Sequence, residues 1–69
     1  MTDTEIGAAI KAARRKKGLK QCRLAKILYM DRSTVSNWET GKRRIYLDVA
    51  IDVADILGIT LDELIGRKV

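Results

Sequence analysis

The sequence predicts an all-α fold: one domain, residues 1–69, built from five short helices. Three observations carry this reading. Apolar residues recur three and four apart, and no strand-like alternation is sustained anywhere. Proline is absent. Gly18, Gly41, Gly58 and Gly66 stand where the apolar stripes end, and glycine accepts the left-handed backbone that closes a helix.

The first helix is expected from about Thr4 to Lys17. Thr2 or Asp3 caps it, and Thr2-x-x-Glu5 has the spacing of a capping box. Ile6, Ile10 and Ala13 make its buried stripe. Arg14, Arg15, Lys16 and Lys17 fill its last turn, where they either complement the helix dipole or reach a polyanion. The second helix runs from Gln21 to about Leu28, with Leu24, Ala25 and Leu28 inward. The third runs from about Arg32 to Thr40, with Asp31 as its cap and Val35 and Trp38 buried. The fourth spans about Leu47 to Leu57. Its inner face is expected to be Leu47, Ala50, Ile51, Ala54 and Leu57, with Asp48, Asp52 and Asp55 on another face. The fifth, about Leu61 to Ile65, opens with a second capping box, Thr60-x-x-Glu63.

A chain of 69 residues buries only about 60% of its unfolded surface, so its core is marginal. No staple helps it. Cys22 is the single cysteine and histidine is absent, so neither an internal disulfide nor a Cys/His zinc site is available, and no metal or cofactor is expected. An unpaired thiol suits a reducing cytoplasm. Cys22 reads either as an inert thiol or as a redox sensor beside Lys20 and Arg23. No signal peptide is visible, since Asp3 and Glu5 interrupt the start. No apolar run approaches the ~20 residues of a membrane span. A nucleophile–base pair and a phosphate-cradling glycine loop are both missing, which excludes the common catalytic classes, and no small-molecule ligand is expected.

Charge is more informative. The net charge is +5. From Met1 to Tyr46 there are 12 Lys/Arg against 4 Asp/Glu, and from Leu47 to Val69 there are 2 against 5. The surplus belongs to the N-terminal two-thirds, which points to a polyanion on one side of the molecule; ordinary solvated surface charge is the plainer alternative.

Residues from about 21 to 40 form two short helices joined by a tight connection, a helix-turn-helix arrangement. The outward face of the second of these is polar: Arg32, Ser33, Ser36 and Asn37. These are short or fork-shaped donors and acceptors, suited to base edges. A basic loop, Gly41-Lys42-Arg43-Arg44, follows and suits phosphates.

The string Gln21-x-x-Leu24-Ala25 followed by Ser33-Thr34-Val35-Ser36-Asn37-Trp38-Glu39-Thr40-Gly41-Lys42-Arg43 resembles the lambda-repressor-like helix-turn-helix family, the XRE class of Cro-type phage repressors and small controller-type regulators. The likeness extends upstream through Ile6, Ile10, Arg14 and Gly18-Leu19, and downstream through Leu47, Ala54, Leu57-Gly58-Ile59 and Leu61 to Leu64. It implies a compact five-helix bundle whose third helix enters the major groove of double-stranded DNA. Carried over by position, Arg32, Ser33, Ser36 and Asn37 face bases. Gln21, Lys20, Arg23, Thr34, Lys42 and Arg43 serve the phosphate side. Arg14 is implied to pair with Glu39, locking the third helix onto the first.

Three positions depart from the family pattern. Tyr29 occupies a turn position that commonly holds glycine, so it either takes a left-handed angle at a cost of about 1–2 kcal/mol or the turn is rebuilt. Lys20 stands where a capping Ser or Thr is usual. Ile45 replaces a common loop proline, and the Ile45–Tyr46 pair either closes the core or forms an interface. The function this implies is a sequence-specific transcriptional regulator, expected to repress as a homodimer on a near-palindromic operator in the cytoplasm of a bacterial or phage-infected cell. Ile45, Tyr46, Ile65 and Val69 are the interface candidates. The alternative is an antitoxin of the same fold that binds a toxin and its own promoter.

Overall fold

The computed structural model describes residues 2–65, which form α1 (Asp3–Lys17), α2 (Gln21–Ile27), α3 (Arg32–Thr40), α4 (Leu47–Leu57) and α5 (Leu61–Ile65). Between α2 and α3 lie only the four residues Leu28 to Asp31. Gly66 and Val69 lie outside the described residues. None of the described helices is long and apolar enough to cross a membrane.

Local chemistry accounts for most helix ends. Thr2 caps α1: the Glu5 amide donates to Thr2 Oγ1 at 3.1 Å and the Thr2 amide donates to Glu5 Oε1 at 3.2 Å. Thr60 and Glu63 repeat the reciprocal pattern at α5, with the Glu63 amide 3.1 Å from Thr60 Oγ1. Gly18, Gly41 and Gly58 all close their helices with left-handed backbone. Lys17 reaches across to the C-terminal end of α4 and donates to the Ile56 carbonyl at 2.6 Å.

Tyr29 does the same work as those glycines without their freedom. Its φ is 57°, and it is the one non-glycine residue with positive φ among the described residues. The amides of Tyr29 and Met30 donate to the carbonyls of Lys26 and Ala25, the same paired bonds that Gly18 and Leu19 make at the end of α1. Of the two expectations for this turn, the left-handed angle holds. The cost is about 1–2 kcal/mol, and the side chain projects almost wholly into solvent.

Ile10, Leu24, Val35, Val53 and Leu64 are completely enclosed, and Ala25, Trp38, Ala50, Ala54 and Leu57 complete the core. Every helix contributes. The fourth helix differs from expectation. Its buried face is Ala50, Val53, Ala54 and Leu57, whereas Leu47 and Ile51, expected inside, are exposed. Val53 sits where they were expected. Apolar residues occupy every position of α4 except the three aspartates, so the pattern is too wide to select one face. Packing against α1 and α5 makes that selection. Asp31 also differs: it occupies the N-cap position of α3, but its side chain makes no capping hydrogen bond.

α1 crosses α3 at Gly7, which is buried. A Cβ there would collide with the carbonyl oxygen of Trp38 and lie 2.9 Å from the Glu39 carbonyl carbon. On a free helix Gly→Ala gains about 1 kcal/mol of propensity. Here the obstacle is backbone, which has nowhere to go, so Gly7→Ala is expected to destabilise by about 1–3 kcal/mol. Urea titration decides the sign. A more stable variant would mean that the α1–α3 crossing accommodates a methyl group at position 7.

Candidate nucleic-acid interface

α2, its turn and α3 form the unit that displays polar residues. Val35, Trp38 and Glu39 turn α3 inward. The other side of the helix shows Arg32 and Ser33 exposed, with Ser36, Asn37 and Thr34 half-buried. Thr40, not singled out in the sequence, is also exposed; its hydroxyl donates back to the Ser36 carbonyl at 3.1 Å. That bond ties the hydroxyl to its own helix.

Cations stand at both ends of α3. At its start, Lys11, Arg15, Lys20 and Arg32 surround a shallow hollow that Gln21 and Cys22 also line. Arg23 is exposed on α2. Beyond its end, Lys42, Arg43 and Arg44 are exposed, and the Arg43 amide donates to the Asn37 carbonyl at 3.2 Å, folding the loop back over the helix. Arg44 approaches Asp3 at 3.8 Å, an exposed pairing of small energetic weight. Lys11 was missed in the sequence, whereas Arg15 belongs to the basic run read there as serving either the helix dipole or a polyanion. They lie four apart on α1, one turn of a helix, and that spacing was the available signal.

The basic run at the end of α1 divides its duties. Arg15 joins the hollow and Lys17 caps α4. Arg14 is buried and forks onto Glu39, with Nε 2.6 Å from Oε2 and Nη2 3.1 Å from Oε1. Its remaining Nη1 donates to the Leu19 carbonyl at 2.7 Å. Gln21 Nε2 donates to Glu39 Oε1 at 2.9 Å, and Arg32 Nη1 donates to Gln21 Oε1 at 3.2 Å. Burial pushes the Glu39 carboxyl up. The hydrogen bonds from Arg14 and Gln21, with the charges of Arg14 and Lys11, outweigh that and hold it below the usual carboxylate range.

The interface candidates separate. Tyr46 is largely exposed, Ile45 is half-buried and packs on the core, and Ile65 is half-buried; Val69 lies outside the described residues. Leu47 and Ile51, displaced from the core, extend the apolar surface beside Tyr46. Cys22 is exposed and free. Among the described residues, no His, Cys, Asp and Glu side chains gather as metal ligands would.

Comparison with known proteins places this geometry. The family model described as Helix-turn-helix matches residues 10–64. No curated protein matches. Among solved structures, the restriction-modification controller protein C.AhdI from Aeromonas hydrophila superposes with a TM-score of 0.83 at 34% identity, covering 90% of this chain and 94% of that one. The matched residues contain the α2–turn–α3 unit and both partners of the Arg14–Glu39 pair. The chain belongs to the helix-turn-helix family and is a DNA-binding transcriptional regulator rather than an enzyme.

Proposed function

We propose that the protein is a controller-type repressor that binds a near-palindromic operator as a homodimer, with α3 of each copy in the major groove. The observation that supports this reading most is the polar face of α3 lying between two groups of cations. Its nine residues span about 13 Å at ~1.5 Å per residue. That matches the ~12 Å width of the major groove, whose two walls are phosphate.

Arg32, Ser33, Ser36 and Asn37 then face bases. Lys20, Gln21, Arg23, Lys11 and Arg15 stand at one wall, and Lys42, Arg43 and Thr34 at the other. The acidic helix α4 carries the opposite charge and serves a different partner, a second copy of the chain. Tyr46, Leu47 and Ile51 give that copy an apolar contact, with Ile65 as a further candidate. One module of this size offers a small interface, and two-fold pairing doubles it.

Selection of bound sequences from random duplex DNA tests the reading directly. Two inverted half-sites about one helical turn apart are expected; a single unsymmetrical site overturns the dimer. Residue roles are separated by titration against cognate and scrambled duplexes at several salt concentrations. Arg32→Ala should lose about 1–3 kcal/mol per half-site on cognate DNA and relax the preference at one base pair. Lys42→Ala should weaken both duplexes alike and reduce the salt slope by about one unit. An unchanged cognate-to-scrambled ratio for Arg32→Ala removes it from base readout.

A further inference from the structure

We propose that the hollow between α3, the basic loop and the start of α4 is an effector site for a small carboxylate with an apolar, ring-sized body, and that filling it weakens operator binding. The effect on DNA rests on Arg43 and Thr34 meeting phosphate, as proposed above; occupancy of the hollow does not.

The hollow has a volume of about 260 Å³, just under the ~300–1,000 Å³ of ordinary ligand pockets, which suits a single-ring ligand. Met30, Tyr46 and Val49 supply apolar wall, and Thr34, Arg43 and Arg44 supply donors. Trp38 lines it too. Tryptophan has one donor, and a buried indole N–H ordinarily finds an acceptor. Trp38 is only 4% exposed. Among the described residues, the side-chain hydrogen bonds at α3 belong to Arg14, Gln21, Arg32, Glu39 and Thr40, and none to the Trp38 indole N–H. No side-chain nitrogen or oxygen among the described residues is both sealed from solvent and without a partner. The indole nitrogen therefore sits at the small part of Trp38 that is still open. Trp38 lines this hollow, so its free donor opens into it.

The donor set selects the ligand. Arg43 and Arg44 are exposed, and the Arg44 guanidinium only approaches Asp3, at 3.8 Å. A guanidinium forks onto a carboxylate, and an indole N–H donates to a carboxylate oxygen as well. Asp31 also lines the hollow, so two cations face one carboxylate and the balance stays positive. That balance favours an anion, and the apolar walls favour one carrying a ring over a bare ion. No motif announces the site, because its residues come from the turn before α3, from α3, from the loop and from α4. Thr34 and Arg43 are also the residues set against phosphate. A carboxylate held there engages Arg43 and brings a negative charge to that wall, so ligand and DNA each weaken the binding of the other.

Trp38 is the single tryptophan, so its indole N–H gives one proton–nitrogen resonance that reports on the hollow directly. Phenylacetate is the probe. Acetate carries the same charge without the ring, and phenylethanol carries the ring without the charge. Phenylacetate is expected to move the indole resonance saturably, at concentrations where acetate and phenylethanol leave it in place. At saturation it should lower affinity for the operator duplex recovered by selection by about 5-fold or more, the low end of coupling between two sites. Ionic strength is held constant, because DNA binding is itself salt-sensitive. Val49→Phe fills the hollow from α4 and should abolish both responses while leaving operator binding without ligand unchanged. Val49→Met takes its place if thermal unfolding shows that the Phe variant folds poorly. A resonance indifferent to phenylacetate, or moved equally by acetate, overturns the site. A saturable shift with unchanged operator affinity overturns the effect on DNA; if Arg43→Ala also leaves that affinity unchanged, the phosphate role of Arg43 falls with it.

Discussion

Trp38→Ala is expected to lower the unfolding free energy by about 3–5 kcal/mol, the usual loss when a buried aromatic is truncated. Trp38 is only 4% exposed and sits in the central cluster with Ile10, Leu24 and Val35. Its effect is large because the domain is small. At about 0.05–0.15 kcal/mol per residue, a chain of 69 residues has little stability beyond what this one side chain contributes. The residue also lies on the face of α3 that meets α1, where the Trp38 carbonyl abuts Gly7. A cavity there frees the helix that displays Arg32 and Asn37, so operator binding should fall with the folded fraction. Urea unfolding followed by circular dichroism measures the loss. A cost below about 1 kcal/mol, or a wild-type tryptophan emission readily quenched from solvent, would remove Trp38 from the core.

Much of this fold is legible in the sequence because its determinants are local. Thr2 with Glu5, Thr60 with Glu63, and the glycines that close α1, α3 and α4 act within four or five residues of themselves. Features that depend on distant partners were not legible in that way. Nothing around Gly7 announces that α3 backbone will press against it. The apolar residues of α4 surround the helix except at its aspartates, and only the neighbouring helices decide that Val53 enters while Leu47 and Ile51 stay out. Asp31 has a capping side chain in a capping position and does not use it. The polar face of α3 could be read from its own spacing. The cations around its start come from α1 and α2 as well, so the hollow exists only once the helices have packed. Arg14 and Glu39 are 25 residues apart, and it was family resemblance, not periodicity, that suggested the pairing.

That pair should behave as a unit. Its two side chains are buried, and each supplies most of the other's hydrogen-bond partners. Removing one strands a desolvated charge, so Arg14→Met or Glu39→Leu alone is expected to cost about 3–5 kcal/mol. Removing both strands no charge. The double variant should therefore cost less than the sum, and less than either single change. It still leaves the Leu19 carbonyl without the Arg14 donor, so some loss remains. Acid gives an independent reading of the same contact. The Glu39 carboxyl is held below its ordinary range in the folded state, so the unfolded chain takes up this proton first as pH falls. The stabilisation it contributes is complete above the unfolded carboxyl's range and is lost as pH falls through the depressed folded value. Urea midpoints compared at neutral pH and at about pH 3 should drop more for wild type than for the double variant, which has no carboxyl there to protonate. Additive single losses in the double-mutant cycle, or identical acid sensitivity of the two proteins, would show that Arg14 and Glu39 contribute to stability separately.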